Sequence, residues 1–330
     1  MPGPARVFYD SDTSLDALAD IKIGIVGYGN QGRAQALNAR ESGLQIVVGA
    51  RQNGASWHSA LSDGFAVVPI SDVVSTCNVL VMTLPDEAMQ AVYRAEIAPF
   101  VNDPKTFIFS HGYVVHHNSI EFPFNSDLIL VAPTGPGAKL RQLFTEGKGL
   151  PSLVAVGQDF SGNAWAKCLA YARAIGSTRA GVVETTFKEE VIVDLFCEQA
   201  VLCGGIPSLI KASFDTLVKN GYQPELAYIS CLKEVKLISD LLFERGMYEM
   251  RKAISNTAKY GSALVGPELV DSRTSATLDH VLARIENGEF ARSFSKEYEN
   301  GFPVTQELLD QEQKSTLDRT GKELSSRLDF

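Results

Sequence analysis

Basic charge is scarce in this sequence and nowhere clustered: 30 lysines and arginines stand against 39 aspartates and glutamates, a net charge of −9. Nucleic acid and anionic membranes both require a concentrated basic face, so neither is expected as a partner. Cysteine is sparse and odd in number. The five residues, Cys77, Cys168, Cys197, Cys203 and Cys231, lie in apolar runs without a close CxxC pair. That pattern excludes a disulfide frame and predicts buried free thiols in a reducing cytoplasm. Long apolar stretches also read as missing, the longest being strand-length and short of a membrane span. Met1–Ala5 lacks the basic-then-apolar order of a secretory leader. What is present is ordinary globular composition, 45% hydrophobic and 21% charged over 330 residues, enough for two domains. The expectation is a soluble cytoplasmic protein.

The first half alternates short apolar runs with helical stretches. Ile21–Val26, Leu44–Gly49, Val79–Thr83, Thr106–Ser110, Leu128–Ala132 and Leu153–Val156 read as strands. Gln31–Ser42, Asp86–Tyr93 and Gly162–Ile175 read as helices between some of them. Strands alternating with helices predict a parallel sheet covered on both faces. From Thr186 onward the period becomes helical, through Leu195, Val201, Leu209, Leu217, Leu232, Leu237 and Leu241, with a break at Asn220–Pro224. The expected division is an α/β domain over 1–183 and an all-α domain over 184–330. The polar tail from Gln306 reads as a solvated terminal helix.

Gly27-Tyr28-Gly29-Asn30-Gln31-Gly32 follows the first strand directly and opens a helix. In that context the first glycine permits the tight turn and the second lets backbone approach a pyrophosphate. The third lets the helix pack on the strand, and the helix N-terminus supplies free N–H groups. This is a Rossmann cofactor loop. The second strand ends in Gly49-Ala50-Arg51, where an NAD enzyme usually carries an acid, and Ser56 follows. A guanidinium and a hydroxyl suit the 2′-phosphate of NADPH, the alternative for Arg51 being an ordinary surface residue.

Several segments together resemble one family, the short bacterial form of ketol-acid reductoisomerase. They are YGNQGRAQALN at Tyr28–Asn38, VGARQNGASW at Val48–Trp57, LPDE at Leu84–Glu87 and SHGY at Ser110–Tyr113. APTGPG at Ala132–Gly137, TTFKEE at Thr185–Glu190 and DLFCEQAVLCGG at Asp194–Gly205 follow in order. GYQPELAY at Gly221–Tyr228 and ISNTAKYG at Ile254–Gly261 complete the set. The resemblance covers nearly the whole chain. It implies a Rossmann domain followed by a knotted helical domain that forms a homodimer or higher assembly. It also implies NADPH as hydride donor and two Mg²⁺ ions that promote an alkyl shift before the reduction. Tyr28, Asp86 and Gly137 fall on the cofactor side of that pattern.

Asp194 and Glu198 stand four residues apart, one face of a helix, and their oxygens suit a hard cation such as Mg²⁺. They match the family's first pair of metal ligands; the alternative is a solvated face. The family's second pair falls on Ser230 and Glu234, so one carboxylate is lost. The family's loop lysine falls on Thr134 and its following histidine on Ala138, while Lys139 lies nearby. His111 is kept as a proton donor or a wall of the nicotinamide pocket, or as a hydrogen-bonded histidine at a strand end. Ser255 matches a substrate-contacting serine from the partner subunit, or caps a helix.

Hydride transfer needs a cofactor, orientation and polarisation, and those parts are present. Alkyl migration needs strong Lewis-acid activation, and that part is edited. The leading expectation is therefore an NADPH-dependent reductase of a C=O or C=N bond in a small polar metabolite, the isomerase step lost, in specialised biosynthesis. The alternatives are a true ketol-acid reductoisomerase, converting acetolactate to 2,3-dihydroxyisovalerate, and a non-catalytic dinucleotide-binding protein.

Overall fold

In a computed structural model, residues 3–328 are described; Met1 and Pro2, where the leader reading begins, lie outside the described residues, as do the last two. The chain forms two compact units, Met1–Val191 and Ile192–Phe330.

The first unit is built on nine strands: β1 Val7–Phe8, β2 Lys22–Val26, β3 Gln45–Gly49, β4 Ala66–Val68, β5 Val79–Met82, β6 Thr106–Phe109, β7 Asp127–Pro133, β8 Ser152–Gln158 and β9 Val182–Glu184. Its helices are α1 Asn30–Glu41, α2 Ala55–Ser62, α3 Ile70–Thr76, α4 Asp86–Val92, α5 Tyr113–His116, α6 Gly137–Thr145 and α7 Ala164–Ala174. The strands lie in the order β1-β9-β8-β7-β6-β5-β2-β3-β4. From β4 to β7 they are parallel, in the doubly wound 3-2-1-4-5-6 arrangement, which places its ligand crevice where β2 and β5 diverge. Ile23, Ile25, Val48, Ile108 and Ile129 are fully buried, as their unbroken apolar runs demand. Each such side chain contributes about 1.5–3 kcal/mol of burial.

The sheet is mixed, which corrects the wholly parallel expectation. β8 runs antiparallel to β7, with Ser152 opposite Pro133. The chain therefore re-enters the sheet at the end where β7 leaves it, and α6 is no crossover. β1 also runs antiparallel to β9.

The second unit is helical. α8 Phe187–Cys197 leads into it, followed by α9 Gly205–Lys219, α10 Pro224–Tyr228, α11 Glu234–Ala253 and α12 Asn256–Leu269. α13 Ser272–Glu286, α14 Glu289–Glu299, α15 Pro303–Gln313 and α16 Thr316–Ser325 complete it. Two single π-turns interrupt the series, at Glu198–Leu202 and Ile229–Lys233.

Three further expectations change. The helical run Phe187–Lys219 is long and apolar enough, by length and composition, to cross a membrane. Its apolar residues were read in short pieces because two carboxylates and a glycine pair divide them. Only Cys77 and Cys168 are buried; Cys197 and Cys231 are half-buried and Cys203 is exposed. The polar tail is two helices. The second buries Thr320, Gly321 and Leu324, and a Cβ on Gly321 would lie 2.7 Å from the Tyr228 hydroxyl.

Candidate active site

The glycine loop leaves β2 at the sheet's crevice. Gly27 takes φ +94°, in the left-handed region, and a Cβ there would sit 2.9 Å from the Thr83 carbonyl. A Cβ on Gly32 would lie 2.5 Å from the Gly27 carbonyl, so the start of α1 packs directly on the turn. The Thr83 hydroxyl donates to the carbonyls of Val26 and Gly27, fixing the turn from below. Gly29, by contrast, faces open space, and as N-cap of α1 it offers no side chain to the first-turn N–H groups. An open glycine beside uncapped N–H donors is the cradle a pyrophosphate requires, so the residues fit a dinucleotide. Asn30 is the first residue of α1.

Arg51 is exposed just beyond β3, with no side-chain hydrogen bond or ion pair among the described residues, and Ser56 stands in the first turn of α2. Both can meet a phosphate. Tyr28 is different: its side chain is buried and its hydroxyl donates to Asp63 at 2.9 Å. Gln31 donates from Nε2 to the Gly135 carbonyl, tying α1 to the loop after β7. Gly137 backs onto the same place, since a Cβ there would lie 2.0 Å from the Asn30 carbonyl. Its role in this fold is close packing of α6 on α1.

Beyond β6, His111 and Asp86 meet, with Nδ1 2.9 Å from Oδ2. The aspartate therefore orients the imidazole, at the opening of α4. Burial, with the Asp86 charge adding to it, pushes the neighbouring Tyr113 phenol up to about 12. Burial lowers both His116 and His117 from their ordinary value, the latter packed edge-on against Tyr113. Thr134 is spent on the backbone: its hydroxyl donates to the Pro151 carbonyl at 2.8 Å. Lys139 donates to Gln142 on its own helix.

One residue escaped the sequence reading. Glu190 is buried to 3% exposure and accepts the backbone N–H of Gly112 at 2.9 Å, beside His111. Glu190, Asp194 and Glu198 recur at four-residue spacing along α8 and the turn after it, a signal that was legible but read only over its last two members.

In the second unit, Asp194 is exposed on α8 and Glu198 opens the π-turn Glu198–Leu202. π-turns of this kind recur at functional sites. This pair has the chemistry to hold Mg²⁺, which takes carboxylate and water oxygens. Ser230 lies in the other π-turn and donates to Glu234 Oε1 at 3.1 Å. It pairs with the surviving carboxylate and supplies no charge. Ser255 is the N-cap of α12, accepting the N–H of Ala258 at 3.2 Å.

Residues 17–181 match the family model described as acetohydroxy acid isomeroreductase, NADPH-binding domain, and residues 187–330 match that of ketol-acid reductoisomerase, C-terminal domain. The chain is 46% identical, over 98% of both sequences, to a ketol-acid reductoisomerase (NADP(+)) of Petrotoga mobilis. Its fold superposes on the structure of an NADH-preferring ketol-acid reductoisomerase from an uncultured archaeon with a TM-score of 0.95. That pair is 38% identical, covering 98% of this chain and 100% of the other. A semialdehyde dehydrogenase NAD-binding protein from Cupriavidus necator shares the fold alone. Its TM-score is 0.62 and its identity 14%, covering 81% of this chain and 99% of that one.

Proposed function

Because this chain belongs to the ketol-acid reductoisomerase family, we propose that it catalyses NADPH-dependent isomerisation and reduction of acetolactate or a close 2-hydroxy-keto acid. The observation that carries this is the 46% identity over 98% of the chain to a ketol-acid reductoisomerase (NADP(+)). It favours the true reductoisomerase over the expected reductase without isomerase activity. The intact glycine loop and the carboxylate pair support the same reading.

In this reading the first turn of α1 holds the pyrophosphate, and Arg51 with Ser56 holds the 2′-phosphate that distinguishes NADPH from NADH. A protein that bound NADH as tightly as NADPH would not be using Arg51 in this way. His111, oriented by Asp86, moves a proton at the reacting oxygen. Glu190 fixes the Gly112 backbone beside it. Asp194 and Glu198 are the residues that would hold Mg²⁺, which when bound supplies Lewis-acid polarisation of the substrate oxygens.

A second reading rests on two specific contacts. Thr134 and Ser230 are both engaged within the chain, and neither carries the charge that the family's pattern places there. The protein would then reduce a ketone or imine without rearranging it. Acetolactate and its rearranged isomer, the 3-hydroxy-2-keto acid, separate the two. The proposal expects Mg²⁺-dependent NADPH oxidation with both, and the dihydroxy acid by mass spectrometry. Turnover of the rearranged ketone alone would establish the second reading in its place. In the first case Ser230→Glu should raise acetolactate turnover by roughly tenfold or more, about 1.4 kcal/mol of barrier, by restoring an anionic ligand.

We further propose that the chain assembles as a homodimer, in the cytoplasm. Leu209, Leu226, Leu237, Phe243 and Leu264 stand exposed on the second unit's helices, and a second copy that covered them would remove that apolar surface from water. Light scattering is expected to give twice the 35.8 kDa chain mass or a multiple of that, and a single-chain particle would overturn this assignment.

A further inference from the structure

The Asp63 carboxylate, at the C-terminal end of α2, belongs to no cofactor motif, yet it grips the phosphate loop from both sides. Its Oδ2 accepts the Tyr28 hydroxyl at 2.9 Å and Arg33 Nε at 2.7 Å, while Oδ1 accepts Arg33 Nη2 at 2.9 Å. Tyr28 lies between the first two glycines and Arg33 just after the third. The two residues held by one carboxylate therefore bracket the N–H groups of Gly29 to Gly32, the donors a pyrophosphate uses.

The site is built to hold that carboxylate. Arg40 donates to the Asp63 carbonyl at 2.9 Å and stacks 4.0 Å above the Phe65 ring, anchoring the turn on α1. Phe65 packs edge-on against Tyr28, and Tyr28 is 4% exposed. The Arg33 guanidinium holds the Asp63 carboxyl below its usual range, so the grip is ionised at neutral pH. A bidentate guanidinium and a buried phenol confer geometry as well as attraction. Without the carboxylate, Tyr28 keeps its packing and loses its hydroxyl's acceptor, and the loop keeps the Thr83 bonds below it and the Gln31 bond to Gly135 but nothing on the Asp63 side.

We infer that Asp63 is a positioning residue for the cofactor: a strap that presets the glycine loop for the pyrophosphate and does not touch the nucleotide. The inference rests on the dinucleotide reading of the loop, and it specifies which part of the cofactor is affected. Both NADPH and NADH carry the pyrophosphate, whereas adenosine 2′-phosphate lacks it. The strap therefore acts on the first two and not on the third.

The test is a set of titrations of the full-length protein with NADPH, NADH and adenosine 2′-phosphate, for the wild type, Asp63→Asn and Tyr28→Phe. Asp63→Asn is expected to raise the Kd of both dinucleotides by roughly 5- to 20-fold, the scale of a lost charge-assisted hydrogen bond. Tyr28→Phe should weaken them by a smaller factor, and the double variant should be no weaker than Asp63→Asn alone. Adenosine 2′-phosphate should stay within about twofold throughout, which a general loosening of the fold would not allow. Unchanged dinucleotide binding in Asp63→Asn, or an equal loss for adenosine 2′-phosphate, would overturn the strap. Should Asp63→Asn fail to fold, Tyr28→Phe decides by the same criteria. A wild type that binds no dinucleotide would overturn the parent reading and the strap with it.

Discussion

Asp194→Asn is expected to lower turnover by about a thousandfold or more, roughly 4 kcal/mol, while NADPH affinity stays within about twofold. The substitution keeps the shape of the side chain and removes its charge. A hard divalent cation prefers a carboxylate strongly over an amide, so the loss falls on metal affinity and on whatever depends on it. The proposed dinucleotide cradle draws on β2, β3, α1 and α2 of the first unit, whereas Asp194 belongs to the second. Steady-state rates against Mg²⁺ concentration, beside a fluorescence titration of NADPH, separate the two effects. A loss of less than tenfold would remove Asp194 from the metal site. A parallel loss of NADPH binding would instead mark a general structural defect.

The second large effect is on stability. Asp127→Ala is expected to cost about 3–5 kcal/mol in urea unfolding. Asp127 opens β7 and is 2% exposed, yet its carboxylate is fully occupied. Lys167 Nζ donates to Oδ2 at 2.7 Å, the Thr106 hydroxyl at 3.0 Å and the Ser161 hydroxyl at 2.8 Å, while the Ser161 N–H meets Oδ1 at 2.9 Å. Removing the acid leaves a lysine that is 15% exposed without its anion. Asp127→Leu combined with Lys167→Met should recover much of the loss, because removing both charges leaves no buried ion unpaired. A single variant within about 1 kcal/mol of wild type would mean that water replaces the pair.

The same carboxylate sets a pH dependence. Burial pushes its pKa up, but the Lys167 and Ser161 hydrogen bonds outweigh burial and hold it below the usual range. A group depressed in the folded state stabilises above its unfolded pKa of about 3.9, and that contribution is lost as pH falls through the folded value. The stability gap between wild type and Asp127→Ala should therefore be constant near neutrality and close only in acid.

What was legible in the sequence was what local chemistry determines. β2, the glycine turn and α1 were readable because strand run, left-handed glycine and helix start follow within twelve residues. The two- and three-residue strands β1, β4 and β9 were not, since their conformation comes from partners distant in the chain. Nor was the direction of β8, which depends on where α6 returns the chain. Asp194 and Glu198 stand out as a pair at helical spacing, and Glu190 extends the same spacing by one turn, but nothing local marks it as buried. Its burial and its bond to Gly112 are tertiary facts. Tyr28 was assigned to the cofactor by its place in the motif, and only the position of Asp63 explains where its hydroxyl goes.

The two π-turns of the second unit carry a consequence for how this chain can change length. Each fits one more residue into a helical turn than an α-helix would hold. Deleting a single residue from Glu198–Leu202 would let the turn relax to α geometry. Because such a turn takes up one extra residue within a helix, everything downstream would keep nearly its orientation about the helix axis relative to Asp194. The same deletion between Ser230 and Glu234 would bring the two from four residues apart to three, which is still one face of a helix. At these two turns the helix therefore carries a residue it can lose, and a single deletion there should displace the chain less than one in the α-helical turns beside them.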